Sequence, residues 1–304
     1  MTTRITQSMT ARSMLVGIND VAQRLAATQQ KMASGKEITR PSDDPYATAR
    51  ALSLASEVDG HRQYQRNVAE AVSWQSVTDT ALGKMTDVVQ RARELLIAGG
   101  SDTSGQTART ALADEVDQLI DALKQESATS YGGRFVFAGT QTATRPYTTG
   151  GPDTYAGDAG TVAREIGPGV SVGVNVLGST LLGNGQGAND GLLLDNLRDI
   201  AQHLRGGTPA DADALRTTDL QALDANLDNL SRARAGVGAT TNRLEAAGAR
   251  LAQLEESTTK LLSDVEDADM AKTLVAFSTQ QAVYQAALRA GANIVQASLL
   301  DFLR

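Results

Sequence analysis

The residue types most able to do chemistry lie in four places. Asp43 and Asp44 are adjacent carboxylates bracketed by Pro41 and Pro45. An adjacent pair of this kind could share a metal ion or divide general acid and base roles. Both roles need further ligands or a base close by, and the surrounding "SGKEITRPSDDPYATA" (34–49) offers none. "SDVEDADMA" (263–271) is acid-rich, but Ala271 and Lys272 stand where an EF-hand loop needs a ligand and its turn glycine. "GNGQGA" (183–188) fits the dinucleotide pattern G-x-G-x-x-A without the alternating strands and helices that give the pattern meaning. His61 and His203 are the two histidines; each falls among polar residues on a helical pattern, where solvent exposure is expected.

Punctuation explains these residues better. Proline suits the first position of a helix, and aspartate suits the position before it. Asp44 is therefore expected to cap a helix beginning at Pro45, with Asp43 near the positive end of its dipole. Pro41 and Pro45 push Arg40 and Asp44 out of helical geometry. Gly35, Pro41, Ser42, Asp43, Asp44 and Pro45 thus read as a stop, a short link and a restart. Ser263 and Glu266 fit a second restart, a capping box for a final helix.

The flanking elements are long helices. Apolar positions step by four and three through Ala11, Leu15, Ile18, Ala22, Leu25, Gln29 and Met32. A second helical pattern runs from Pro45 to about Ala98, and a third ends near Ser127. Residues 131–191 hold 15 of the 28 glycines and read as short strands between turns. Helical pattern returns near Leu192 and gives the seam Leu220, Leu223, Leu227, Leu230, Arg234, Val237, Thr241, Leu244, Gly248, Leu251. A last seam takes Leu274, Phe277, Gln281, Tyr284, Leu288, Gly291, Val295, Ser298 and Phe302. A narrow seam must bury against another, so the first and last helices are expected to pair. The expected fold is mainly α with a β-rich insertion, an elongated rod of long antiparallel helices. Its expected domains are a terminal coiled coil (1–44 with 266–304), a helical bundle (45–130 with 192–265) and an outer insertion (131–191). Leu15, Ile18, Leu25, Met32, Leu274, Phe277, Tyr284, Leu288, Val295 and Phe302 are the expected assembly surface.

Composition narrows the function. A formal charge of -7 disfavours nucleic acid as a partner. The chain has no cysteine, which excludes disulfides and thiolate chemistry. Its start lacks the apolar run of a cleavable signal peptide, and no stretch approaches the roughly 18 apolar residues of a membrane span. No G-x-S-x-G or Walker motif is present. The expectation is a structural protein, not an enzyme, with no cofactor or metal.

The motifs resemble one family. "MASGKEITRPSDDPYATARAL" (32–52), "GGRFVFAGTQTATRPY" (132–147), "YAGDAG" (155–160), "GVGATTNRLE" (236–245), "SDVEDADMA" and "YQAALRAGANIVQASLLDFLR" (284–304) span nearly the whole chain. Together they are similar to the bacterial flagellin superfamily, and within it to the flagellar hook-filament junction proteins. "VGATTNRLE" and "DVEDADMA" resemble the wider superfamily. The 41–45 run, "FVFAGTQT" and "SLLDFL" point to the junction proteins. Filament flagellins usually carry "INSAKDDAAG" at the first site and a proline near the end, where this chain has Ala297. The resemblance implies a structural adaptor that joins the hook, through the first hook-associated protein, to the flagellin filament. The alternative is a filament subunit. It further implies a ring of copies, a dedicated export chaperone, and an extracellular location on the flagellum reached by type III export without cleavage.

Overall fold

The structure is a computed structural model that describes residues 7–101, 105–185, 188 and 190–302, with side chains at 9, 12–101, 105–185, 188 and 190–292. In chain order the elements are α1 (Gln7–Ser34), α2 (Pro45–Gly99), α3 (Gln106–Ser127), β1 (Ser130–Tyr131), β2 (Arg134–Phe135), β3 (Ala163–Gly167) and β4 (Val170–Gly173). After a 3-10 turn at Gly178–Thr180 come α4 (Leu193–Gly206), α5 (Pro209–Arg216), α6 (Thr218–Glu266) and α7 (Met270–Phe302). The fold is mainly α with small antiparallel sheets. The chain divides into two units, residues 1–60 with 254–304 and residues 61–253.

The larger unit is built on the heptad seam of α6. Leu223, Leu230, Val237, Leu244 and Leu251 are all buried at intervals of seven. They join Leu82, Met85, Val89 and Leu96 of α2, Val116, Ile120 and Leu123 of α3, and Leu197, Ile200 and Leu204 of α4 in one core. Aliphatic side chains supply most of this core, which is why four phenylalanines and one tryptophan suffice for 304 residues. At about 1.5–3 kcal/mol for each fully buried large aliphatic side chain, the seam outweighs the propensity penalties of Gly236, Gly238 and Gly248 inside α6.

Segment 131–191 supplies the strands. β1 and β2 pair as a hairpin, with Ser130 opposite Phe135 and Tyr131 opposite Arg134. β3 and β4 form a second hairpin, with Arg164 opposite Val172 and a bulge after Glu165. The runs "FVFAG" and "VNVLG" continue beyond these strands with a further backbone hydrogen bond each, from the Val136 N–H to the Thr129 carbonyl (3.1 Å) and from the Val174 N–H to the Val162 carbonyl (2.8 Å). Their apolar side chains, Val136, Phe137 and Val174, are buried in the same core as Trp74 and Leu194. The apolar alternation is therefore satisfied by packing on helices and not by wider sheets. "FVFAGT" and "YAGDAG" also pack on one another. Gly139 has φ +69, and a Cβ there would lie 2.3 Å from the Asp158 carbonyl oxygen. Asp158 Oδ1 accepts from the backbone N–H groups of Thr140 (2.6 Å) and Gly160 (3.1 Å). These hydrogen bonds, led by those from Thr140, hold the Asp158 carboxyl below its ordinary range. Burial, helped by Asp158, pushes the Tyr155 hydroxyl up to about 12. It therefore stays a donor, 2.9 Å from the Phe137 carbonyl.

Candidate assembly surface

Each expected site residue can be followed upward from its helix end. Gly35 closes α1 in left-handed conformation with φ +71, and its N–H donates to the Lys31 carbonyl (2.9 Å). Only glycine takes this conformation without strain. The link that follows runs antiparallel to the link between α6 and α7. Lys36 bridges Asp267, the Glu37 N–H donates to the Glu266 carbonyl (2.7 Å), and the Ala268 N–H donates to the Gly35 carbonyl (2.9 Å). A Lys36–Glu266 ion pair lies beside them.

Within that link the two aspartates are occupied. Asp43 Oδ2 accepts from the Arg40 N–H (3.0 Å) and the Thr39 hydroxyl (3.1 Å). Asp44 Oδ1 accepts from the Ala47 N–H (2.9 Å), with Pro45 as the first helical residue. Pro41 and Ser42 lie in the turn between the two helices and are exposed. Both carboxylates serve backbone donors, and no cluster of three or more metal-ligating side chains occurs among the described residues. Loss of the Asp44 cap has a defined cost. Asp44→Ala is expected to lower stability by roughly 1 kcal/mol, read as a lower denaturation midpoint at unchanged slope.

The second restart differs from its sequence reading. α6 continues through Ser263 to Glu266, and Ser263 donates to Asp267 (2.5 Å) from inside the helix. The cap of α7 is Asp269, whose Oδ1 accepts from the N–H groups of Ala271 (3.0 Å) and Lys272 (3.1 Å). Nothing between Ser263 and Glu266 breaks a helix, so the capping box does not form. The histidines also differ. His61 is buried on α2. His203 Nδ1 shares a hydrogen bond with Asp219 Oδ2 (2.7 Å), tying α4 to the start of α6.

α1 and α7 pack as an antiparallel pair. Thr28 meets Gln280, and Gly291 meets Ile18 and Met14. Ile18, Leu25, Met32, Phe277 and Tyr284 line the pair yet remain half-exposed. Leu15 (62% exposed), Leu274 (56%) and Leu288 (44%) lie outside it. Val295 and Phe302 lie on the last helix, and their side chains fall outside the described residues. Two helices alone thus leave their seam incompletely covered. Of the 14 large apolar residues exposed among the described residues, 12 belong to the smaller unit, including Val16, Tyr46, Leu52 and Val275. Beside them a groove of about 310 Å³ opens between the 36–41 link and α2, with Ile38, Pro41, Ala51 and Leu52 in its wall. Apolar exposure concentrated in this way is characteristic of interaction surfaces.

A chain of charges in the larger unit, centred on the buried Lys124 and Asp153, carries no sequence signal of its own. Lys124 is fully buried on α3 and pairs with Asp153, whose side chain is 4% exposed. Lys124 also donates to the Gly151 carbonyl (2.8 Å). Arg198 on α4 donates to both oxygens of Asp153 (2.8 and 3.2 Å) and to Asp117 (2.6 Å). Arg205 extends the chain to Asp114 (2.9 Å) and Asp117. Burial by itself would raise the Asp153 carboxyl. The hydrogen bonds and charges of Arg198 and Lys124 outweigh it and hold the group below its ordinary range. The network fastens the 146–158 loop to α3 and α4.

Comparison with known proteins agrees with this architecture. Residues 5–142 match the family described as the bacterial flagellin N-terminal helical region, and residues 220–303 match the bacterial flagellin C-terminal helical region. Flagellar hook-associated protein 3 of Escherichia coli is 26% identical over 312 aligned positions, covering 97% of this chain and 98% of the relative. The flagellar filament 31.3 kDa core protein of Treponema maltophilum is 27% identical, covering 95% of each chain. Among solved structures, flagellar hook-associated protein 3 of Legionella pneumophila superposes with a TM-score of 0.60 at 15% identity, covering 70% of this chain and 98% of that one. The two matched regions take in both helical ends and the insertion's first hairpin, and on that ground the chain belongs to the bacterial flagellin superfamily.

Proposed function

We propose that this protein is a structural adaptor of the bacterial flagellum, joining the hook, through the first hook-associated protein, to the flagellin filament. The observation that carries the reading is its end-to-end correspondence with a hook-associated protein 3, at 97% and 98% of the two chains. The apolar surface of the smaller unit supports it, because an adaptor must bind its neighbours through surface that is exposed in the free chain. Copies form a ring between the two partners. The working division is 1–44 with 266–304 for assembly, 45–130 with 192–265 for the bundle, and 131–191 for the outer part. The protein acts outside the cell, leaves by the flagellar type III apparatus uncleaved, and is escorted by an export chaperone. It binds no nucleic acid and catalyses nothing.

The filament-subunit reading rests on the similar identity to a filament core protein. Electron microscopy of cells lacking the gene separates the two. An adaptor leaves bare hooks and abundant flagellin in the medium. A filament subunit leaves bare hooks and no flagellin, because the missing product is the flagellin itself.

A further inference from the structure

We propose that Thr28 and Gln280 hold the register of the α1–α7 pair along its length, beyond the paired 35–37 and 266–268 links at its end, and so decide which apolar residues that pair offers to its neighbours. The part about neighbours rests on the assembly reading above; the part about register does not. Thr28 is the one buried residue among the described side chains of α1. Its hydroxyl donates to Gln280 Oε1 at 2.7 Å, with the Arg24 carbonyl at 3.0 Å as the second available acceptor.

The apolar seam cannot set the register by itself. Ile18, Leu25 and Met32 recur every seven residues, and so do Phe277, Tyr284 and Gly291. The contact of Gly291 with Ile18 places Leu25 opposite Tyr284 and Met32 opposite Phe277. A slip of one heptad sets Ile18 opposite Tyr284 and Leu25 opposite Phe277, so large apolar residues still meet. The slip would be nearly free of cost on the apolar count, although it would break the Glu37–Glu266 and Ala268–Gly35 backbone hydrogen bonds of the paired links. Gln280 changes that balance. After the slip its amide faces Val21 and Ala22, and Thr28 keeps only the Arg24 carbonyl of its own helix. A polar group left unpaired in a helix interface is penalised, which is how single polar positions fix the register of coiled coils. The consequence reaches the surface, because Leu15 of α1 and Leu288 of α7 would move past each other by about 10 Å.

The absence of native cysteine makes the test direct. Ile18→Cys with Gly291→Cys reports the observed register, since a Cβ at Gly291 lies 3.5 Å from the Ile18 side chain. Ile18→Cys with Tyr284→Cys reports the slipped register. In the observed register those positions are a heptad apart along the axis, beyond disulfide reach. In the soluble full-length chain under mild oxidation, the first pair should close and the second should not. Adding Thr28→Val with Gln280→Leu should raise closure of the slipped pair relative to the first on the order of tenfold. Adding Thr28→Ser, which keeps the hydroxyl, should leave the ratio unchanged. An unchanged ratio in the Thr28→Val/Gln280→Leu chain, or failure of the first pair to close, overturns the proposal. A shifted ratio in a strain that still swims normally keeps the register and overturns the assembly reading.

Discussion

Cells carrying Leu288→Arg are expected to build hooks, secrete this protein and shed unpolymerised flagellin. Leu288 is 44% exposed in the chain alone. An arginine there keeps its charge in water in the free protein, and α7 retains its helix propensity. The larger unit, built from residues 61–253, does not use this position. The soluble protein should therefore fold with unchanged helical circular dichroism. The cost appears only when a neighbour covers the residue. An unpaired charge buried in each copy of a ring costs several kcal/mol, and the cost repeats at every copy. The readouts are flagellin in the culture supernatant and bare hooks by microscopy. Normal filaments and swimming in this strain would remove α7 from the assembly surface.

Long-helix architecture was legible because helices are written locally. Gly35, Asp44 and Pro45 act on their own backbone neighbours, so their roles follow from type and order alone. The α6 seam was legible for a similar reason, since a repeat of seven needs no partner to be visible. A cap motif was legible only as a possibility. Ser263 and Glu266 have the types and spacing of a capping box, yet nothing there stops α6, which runs on to Glu266 and leaves Asp269 to cap α7. Long-range polar pairing left still less trace. Asp114, Asp117 and Asp121 look like the ordinary solvated face of α3, and Lys124 like its basic end. Their partner Asp153 stands in a loop, and Arg198 comes from a helix 45 residues beyond it. His203 was misread for the same reason, because its partner Asp219 belongs to a different helix. The assembly seam was half legible. Periodicity marked Leu15, Ile18, Leu274, Phe277 and Leu288 as one set, whereas folding places Ile18 and Phe277 inside the pair and leaves Leu15, Leu274 and Leu288 outside it.

Replacing Asp153 should be the most damaging single change in the larger unit. Asp153→Leu removes the one carboxylate that pairs closely with Lys124. The ammonium is then fully buried with only the Gly151 carbonyl at 2.8 Å and the Asp121 carboxylate at 3.9 Å. Breaking a buried pair from one side typically costs about 3–5 kcal/mol, because the remaining charge keeps its desolvation penalty. Lys124→Met should be milder, since Arg198 still holds Asp153 with two hydrogen bonds. The double variant Lys124→Met/Asp153→Leu should recover much of the loss, because no buried ammonium remains. Denaturant midpoints of the four chains form a double-mutant cycle, and simple additivity would show that the two groups act independently. The same pair predicts an acid dependence. Asp153 titrates lower in the folded chain than its unfolded value of about 3.9. Its contribution is therefore fully present above that value and is lost as pH falls through the folded one. As pH falls below about 4, the wild-type midpoint should fall more steeply than that of the double variant. Equal slopes would mean that the Lys124–Asp153–Arg198 network does not hold the 146–158 loop against the bundle.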